Sequence, residues 1–289
     1  MRSGQANDRR GPCIEQMRQS AAPLPTRGIL HPVAGLRVFD LEREPPPPEL
    51  APFVEWTWSV RWQLEPGREH EQATLPFPSV NLVFEEGEYR VHGPCTQRFV
   101  TRLRGEGWVL GVRFRAAGFS AFSRVPLREL VDQVLPLTTV LGVESPPPAV
   151  GPAEARRLLF AVLRARQPVH EPAHALADRV VSAIGQEPSL SRVEELARLA
   201  GCSPRSLHRL LETHVGVGTK WLVRRARVQS AAERVARGER VDWAELAHEL
   251  GYADQPHFIR EFREQVGETP AAYAARCRQA TEPSLGQRP

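Results

Sequence analysis

Hydrophobic and polar positions change their period once along the 289-residue chain. Between residues 35 and 141 the period is mostly two. In "FVEWTWSVRW" apolar and polar residues alternate, so Val54, Trp56, Trp58, Val60 and Trp62 share one face of a predicted strand, with Glu55, Thr57, Ser59 and Arg61 on the other. "VNLVFEEGEYRVHG" predicts a hairpin turning at Glu86-Gly87, and "GWVLGVRFR" a further strand. Pro45 to Pro48 stiffen the approach to these strands, and Pro76 and Pro78 bracket a turn before the hairpin. Short helical stretches are expected around Phe119 to Phe122 and Leu127 to Val134. "ESPPPAVGP", Glu144 to Pro152, ends this pattern, because three consecutive prolines fit neither a helix interior nor a central strand. Beyond it the period becomes 3.6, and "AEARRLLFAVLRAR" and "PAHALADRVVSAIGQ" predict two amphipathic helices ending near Gly185.

The last helical stretch is written twice. "LARLAGCSPRSLHRLLETHVG", Leu196 to Gly216, and "LAHELGYADQPHFIREFREQVG", Leu246 to Gly267, both read as helix, turn, helix. Capping boxes are expected at Ser191 to Glu194 and at Asp242 to Glu245, where side chains at either end of the first turn satisfy free backbone N–H groups. Ser203, followed by Pro204, and Asp254 are expected to cap the second helix of each unit. Gly201 and Gly251 supply the positive φ of a tight helix exit. Leu196, Leu199, Ala200, Leu207, Leu210 and Leu211 are expected to form one small core, and Leu246, Ala247, Leu250, Phe258 and Phe262 its twin.

If those positions pack inward, the other face is free for chemistry. It carries Arg205, Ser206, His208 and Arg209 in the first unit and Gln255, His257, Arg260 and Arg263 in the second. In a helix-turn-helix the outer side of the second helix enters the major groove, where arginine bonds the guanine edge in a bidentate fashion and glutamine the adenine edge. Thr219 to Arg237 forms the helix between the units, with Gly238 as its stop. At 1.5 Å per residue it spans roughly 28 Å, close to the DNA repeat of about 34 Å. The spacing predicts two recognition helices in successive major grooves.

Composition adds bounds. The length suggests more than one domain. The chain is 41% hydrophobic and 25% charged, with a net charge of +4, and the sequence pI is about 9.2; this fits a nucleic-acid partner without requiring one. Lacking a long apolar run or secretory h-region, the sequence predicts a cytoplasmic protein without membrane association. Cys13, Cys95, Cys202 and Cys277 are far apart, and are read as free thiols rather than metal ligands. No cofactor is expected, nor a catalytic function, since the sequence shows no phosphate loop, nucleophile elbow or zincin helix.

The doubled unit, its connecting helix and "GYADQPHFIREFREQVGETPAAYAAR" resemble the DNA-binding domain of the AraC/XylS family of transcriptional regulators. The resemblance covers residues 188–278. It implies that Arg205, His208 and Arg209 face bases from the first recognition helix, and Gln255, His257 and Arg260 from the second. Pro256 stands where the family commonly has a small polar residue, and Thr219 where it often has proline. "PFVEWTWSV", "LPFPSVNLVF", "VHGPCTQ" and "GVRFRAAGF" resemble the small β-rich domain that precedes this module in one branch of the family, with "RFRAAG" departing from an "RFRPGG"-like pattern.

The expectation is an α+β chain. Residues 1–34 form a loose leader whose true start could be Met17, and 35–145 a mainly antiparallel, barrel-like or cupin-like regulatory domain. Residues 146–187 hold the linker and two helices, 188–278 the double helix-turn-helix, and 279–289 a tail. The expected partners are double-stranded DNA and RNA polymerase, with a small-molecule effector and a homodimer both permitted. Trp56, Trp58 and Trp62 read as core, with a ligand pocket as the alternative, and Arg224, Arg225 and Arg227 as solvated, with phosphate contact as theirs. His70, His92 and Cys95 lack the spacing of a metal site. Two rival functions stand beside transcription: a methyl-accepting DNA-repair protein using Cys95, and a protein-interaction module that has lost DNA binding.

Overall fold

The computed structural model describes residues 26, 28–187, 190 and 192–281. The leader up to residue 25, including Cys13 and Met17, and the last eight residues lie outside them.

The N-terminal half is built on a six-stranded antiparallel sheet. Its strands are β1 (Phe39–Glu44), β2 (Val54–Gln63), β4 (Asn81–Glu85), β5 (Glu88–His92), β7 (Glu106–Phe114) and β8 (Val134–Pro136), in the order β1-β2-β7-β4-β5-β8. β3 (Glu69–Thr74) and β6 (Phe99–Arg104) pair as a second, two-stranded sheet. The hairpin β4–β5 turns at Glu86 and Gly87, both at positive φ, which is the backbone of a two-residue turn matched to strand twist. The predicted helix at Leu127 to Val134 is instead one 3-10 turn, Leu127–Glu129, followed by β8. Asp132 adopts φ 58° and ends helical geometry, and β8 takes up the free edge of β5.

The expected face of β2 also changes. A register shift between Val54 and Trp56 inserts a bulge, which moves every side chain beyond it to the opposite face. Val54 therefore packs with Leu82, Leu110, Val112 and Phe114 in the main core, whereas Trp56, Trp58, Val60 and Trp62 line a cavity on the other side. The small Thr57 and Ser59 are buried beside Val112 and Leu110. Helix α3 (Pro152–Ala165) covers this core face through Ala155, Leu159, Phe160 and Leu163.

Two short helices precede α3, α1 (Pro32–Gly35) and α2 (Leu137–Leu141). The helices after it are α4 (Pro172–Gln186), α5 (Val193–Leu199), α6 (Pro204–His214), α7 (Thr219–Ala236), α8 (Trp243–Glu249), α9 (Gln255–Val266) and α10 (Pro270–Thr281). The two helices expected between the domains have different roles. α3 belongs to the sheet, while α4 contributes Ala177, Val180 and Ile184 to a core shared with α5, α6 and the first half of α7. The second half of α7, with α8, α9 and α10, forms another core.

That last core also contains Leu30 and Leu75. Residues 28–34, expected as part of a loose leader, are in fact fastened. Ile29 bridges Thr74, Leu30 is buried, and His31 Nε2 lies 2.7 Å from Glu268 Oε1. Leu30 anchors the segment by packing into that core.

Candidate nucleic-acid interface

Each unit is a pair of short helices folded around buried apolar residues. In the first, α5 ends at Gly201, φ 63°, and α6 starts at Ser203, whose Oγ accepts a hydrogen bond from the Ser206 N–H. In the second, Asp242 caps α8 by accepting from Ala244 and Glu245 N–H, Gly251 adopts φ 75°, and Asp254 caps α9 by accepting from His257 N–H. The cap expected at Ser191 lies outside the described residues, and the residue before α5 is Arg192, which makes no side-chain cap bond. At Asp242 the carboxylate half of the capping box is formed.

The inward stripes follow the 3.6 period with one exception. Leu196, Leu207 and Leu211 are buried in the first unit, and Leu246, Ala247, Leu250, Phe258 and Phe262 in the second. Leu199 is 54% exposed. At about 100° per residue, it falls on the flank of a stripe that runs through Leu196 and Ala197.

The opposite faces carry the expected polar groups. Arg205, His208 and Arg209 are exposed on α6, and His257, Arg260 and Arg263 on α9. Gln255 is half-buried at the start of α9. Ser206 is also half-buried, and its hydroxyl lies 3.0 Å from that of Ser203, so it serves the cap. His208 has an in-helix partner, Glu212 Oε1, at 3.4 Å. Such exposed pairs are weak, about 0–1 kcal/mol, and leave the imidazole able to exchange Glu212 for another acceptor.

α7 is the common spine. Leu222, Val223 and Ala226 pack in the first core, and Val228, Ala231, Ala232 and Val235 in the second. One continuous helix therefore fixes both units relative to each other. Three of its arginines, Arg224, Arg225 and Arg227, have partners within the chain. Arg224 Nε lies 3.1 Å from Glu261 Oε1, Arg225 donates to the Pro76 carbonyl at 2.7 Å, and the Arg227 guanidinium sits 5.3 Å from the Tyr252 ring centroid. Arg225 and Arg227 are drawn inward by these partners, whereas the Arg224 side chain stays 49% exposed beside Glu261.

Glu261 is a buried charged residue beside this face that sequence reading does not single out. It lies on α9 between Arg260 and Phe262, yet is buried, with His257 Nε2 3.9 Å from its carboxylate in addition to Arg224. Burying a carboxylate is tolerable only with paired charge. Nothing in its local sequence distinguishes it from a solvated glutamate, because Arg224 is remote in the chain.

Residues 196–276 match the sequence family described as a helix-turn-helix domain. Those residues hold both helix pairs and the helix α7 that joins them. Residues 42–136, the strand-rich part, match a domain of unknown function, DUF6597. The HTH-type transcriptional regulator GlxA of Rhizobium meliloti (strain 1021) is 33% identical over 81 residues, covering 28% of this chain and 25% of the relative. The match thus spans about a quarter of that relative's length. Among solved structures, the DNA-binding domain of AdpA in complex with a target DNA is 28% identical, covering 37% of this chain and 97% of that one, with a TM-score of 0.33. ToxT from Vibrio cholerae is 12% identical over 83% of this chain and 98% of its own, with a TM-score of 0.38. The matched residues begin within α5, and the first core is completed by α4, which precedes them.

Proposed function

We propose that this chain is a sequence-specific DNA-binding transcription regulator whose two recognition helices, α6 and α9, enter successive major grooves on one face of the duplex. The observation that carries this reading is the pair of exposed basic faces on second helices that share α7 as a common spine. Arg205, His208 and Arg209 act in one groove, and Gln255, His257, Arg260 and Arg263 in the next. Ser206 contributes through the cap that shapes the start of α6. Phosphate contacts supply sequence-blind affinity and its salt dependence, and the base-facing arginines supply discrimination. One chain carries two reading helices, so a monomer fills a whole site and a homodimer would extend it. The strand-rich half modulates binding or contact with RNA polymerase through a small effector. The compartment is the cytoplasm; among the described residues no helix is long and apolar enough to cross a membrane.

The repair alternative fares worse on Cys95. An activated thiol needs a depressed pKa, but burial pushes the Cys95 thiol up, and its sulfur is occupied by the Gln97 carbonyl at 3.0 Å. The interaction-module alternative leaves the exposed arginines on both recognition faces unexplained.

The test is selection of genomic fragments by the purified full chain at physiological salt, repeated with R209A/R260A. The proposal expects a motif with two half-elements about one helical turn apart, weakened in the double variant. Recovery of sequence-blind DNA alone would overturn it.

A further inference from the structure

The face of the sheet turned away from the main core bounds a cavity of about 750 Å³, within the usual range of small-molecule sites, about 300–1,000 Å³. Its wall is flat and aromatic for a reason visible in the strand register. Trp58 and Trp62 on β2 stand opposite Gly111 and Gly107 on β7, and a Cβ at either glycine would collide with the facing indole. The missing side chains let both rings lie against the sheet instead of filling the cavity. Each indole N–H is already satisfied, Trp58 donating to Asn81 Oδ1 at 3.1 Å and Trp62 to the Arg104 carbonyl at 3.0 Å, so what the wall offers a ligand is apolar ring surface.

The charges are less balanced. On β1 the inward positions are Phe39, Leu41 and Arg43, so an arginine stands where the pattern calls for an apolar residue. The Arg43 and Arg113 guanidiniums lie 4.8 and 5.2 Å from the same Trp56 ring centroid. Arg113 Nε donates to Glu55 Oε2 at 2.9 Å, whereas Arg43 Nε is buried without a partner. The other charged side chains deep in the lining are engaged: Glu85 with His92 at 2.8 Å, Asp178 with the Ala117 N–H, and Arg225 with the Pro76 carbonyl. Around Arg43 two guanidiniums thus share the one carboxylate of Glu55, and the Arg43 Nε–H is left as a free donor in a half-buried place. Burial, with Arg113 adding to it, draws the Arg43 pKa down to about 10, which still leaves it cationic at neutral pH.

We propose that this cavity binds a planar aromatic monocarboxylate, with the carboxylate paired to Arg43 and the ring system lying on the indole wall. Cation–π contact and ring stacking favour a flat body over a flexible chain, and an arginine fork favours a carboxylate. The far side of the cavity includes Ser182 and Gln186 of α4 and Arg225 and Gln229 of α7. The cavity therefore reaches from the indole wall to the helix that joins the two reading units. The inference rests on the regulatory reading only in calling this ligand an effector.

Calorimetric titration of the full chain with 2-naphthoate, 2-naphthamide and dodecanoate tests it. The acid is expected to bind at least about ten-fold tighter than the amide, the scale of a charge-assisted hydrogen bond, and tighter than dodecanoate. R43M should reduce naphthoate binding to the amide's level and leave naphthamide unchanged, so the amide reports whether the variant's cavity is intact. If R43M fails to fold, the acid–amide comparison on the unaltered chain decides alone. Equal binding of acid and amide, tighter binding of dodecanoate, or no binding by any of the three would overturn the proposal. Binding to a selected operator is measured separately. Operator binding without naphthoate binding defeats the ligand class alone, and naphthoate binding without operator binding defeats the DNA reading alone.

Discussion

At the scale of single residues, the features that local geometry dictates were legible and those set by remote neighbours were not. Ser203, Asp242 and Asp254 read as caps because a helix start needs an acceptor there whatever surrounds it, and each accepts a backbone N–H as expected. Asp242→Ala is accordingly expected to lower stability by about 1 kcal/mol, measurable as a shifted denaturation midpoint. Strict alternation puts Trp56, Trp58 and Trp62 on the face of Val54 because it cannot reveal a bulge, and a single extra residue at Val54–Trp56 exchanges the faces. Gly107 and Gly111 held the missing clue, four residues apart on the strand opposite the tryptophans. Gly111→Ala should drive the Trp58 ring into the cavity and cost about 1–3 kcal/mol of overpacking strain. Thermal unfolding would register the loss, and unchanged stability would show that the indole does not lie against that glycine.

Among the elements, the long helix and both helix pairs were visible in periodicity alone, but which core each helix serves was not. α4 reads as a linker helix in sequence and packs instead with α6 and α7. At that contact His174 and His214 stand with ring centroids 4.9 Å apart, His170 lies beside His174, and the Ser120 hydroxyl is 3.2 Å from His214 Nδ1. Burial lowers the pKa of both His174 and His214, and of His31 in the contact between the N-terminal segment and α10, although Glu171 and Glu268 pull the other way. With folded values below the ordinary 6.5, the unfolded chain binds more protons in the interval between. The stability these neutral histidines contribute is complete above about pH 6.5 and is lost as pH falls through the folded values. Melting temperature should therefore drop from pH 7 to pH 5.5, less steeply in His174→Gln than in the unaltered chain. A profile that is flat or rises with acid would contradict the assignment.

For the whole molecule, the order of strand-rich half, helices and doubled unit was readable from the change of period, whereas the contacts that bind the halves together join residues distant in sequence. Leu30 is the clearest instance. Its neighbours are rich in arginine, glycine and proline and carry no periodic signal, yet it is buried in the second helix-turn-helix core. Leu30→Ala should destabilise the chain by about 2–4 kcal/mol, where a loose leader would give none; chemical denaturation separates the two. The same architecture makes α7 the member that fixes how far apart α6 and α9 stand, and the proposed division of DNA reading between them depends on it. The most direct test is the base-preference profile of a selected operator, determined for the unaltered chain, R209A and R260A. The account predicts that R209A relaxes preference in one half-element only and R260A in the other, each by about 1–3 kcal/mol of discrimination, with little change in salt slope. Equal weakening at every position in both variants, or no change in either, would contradict it.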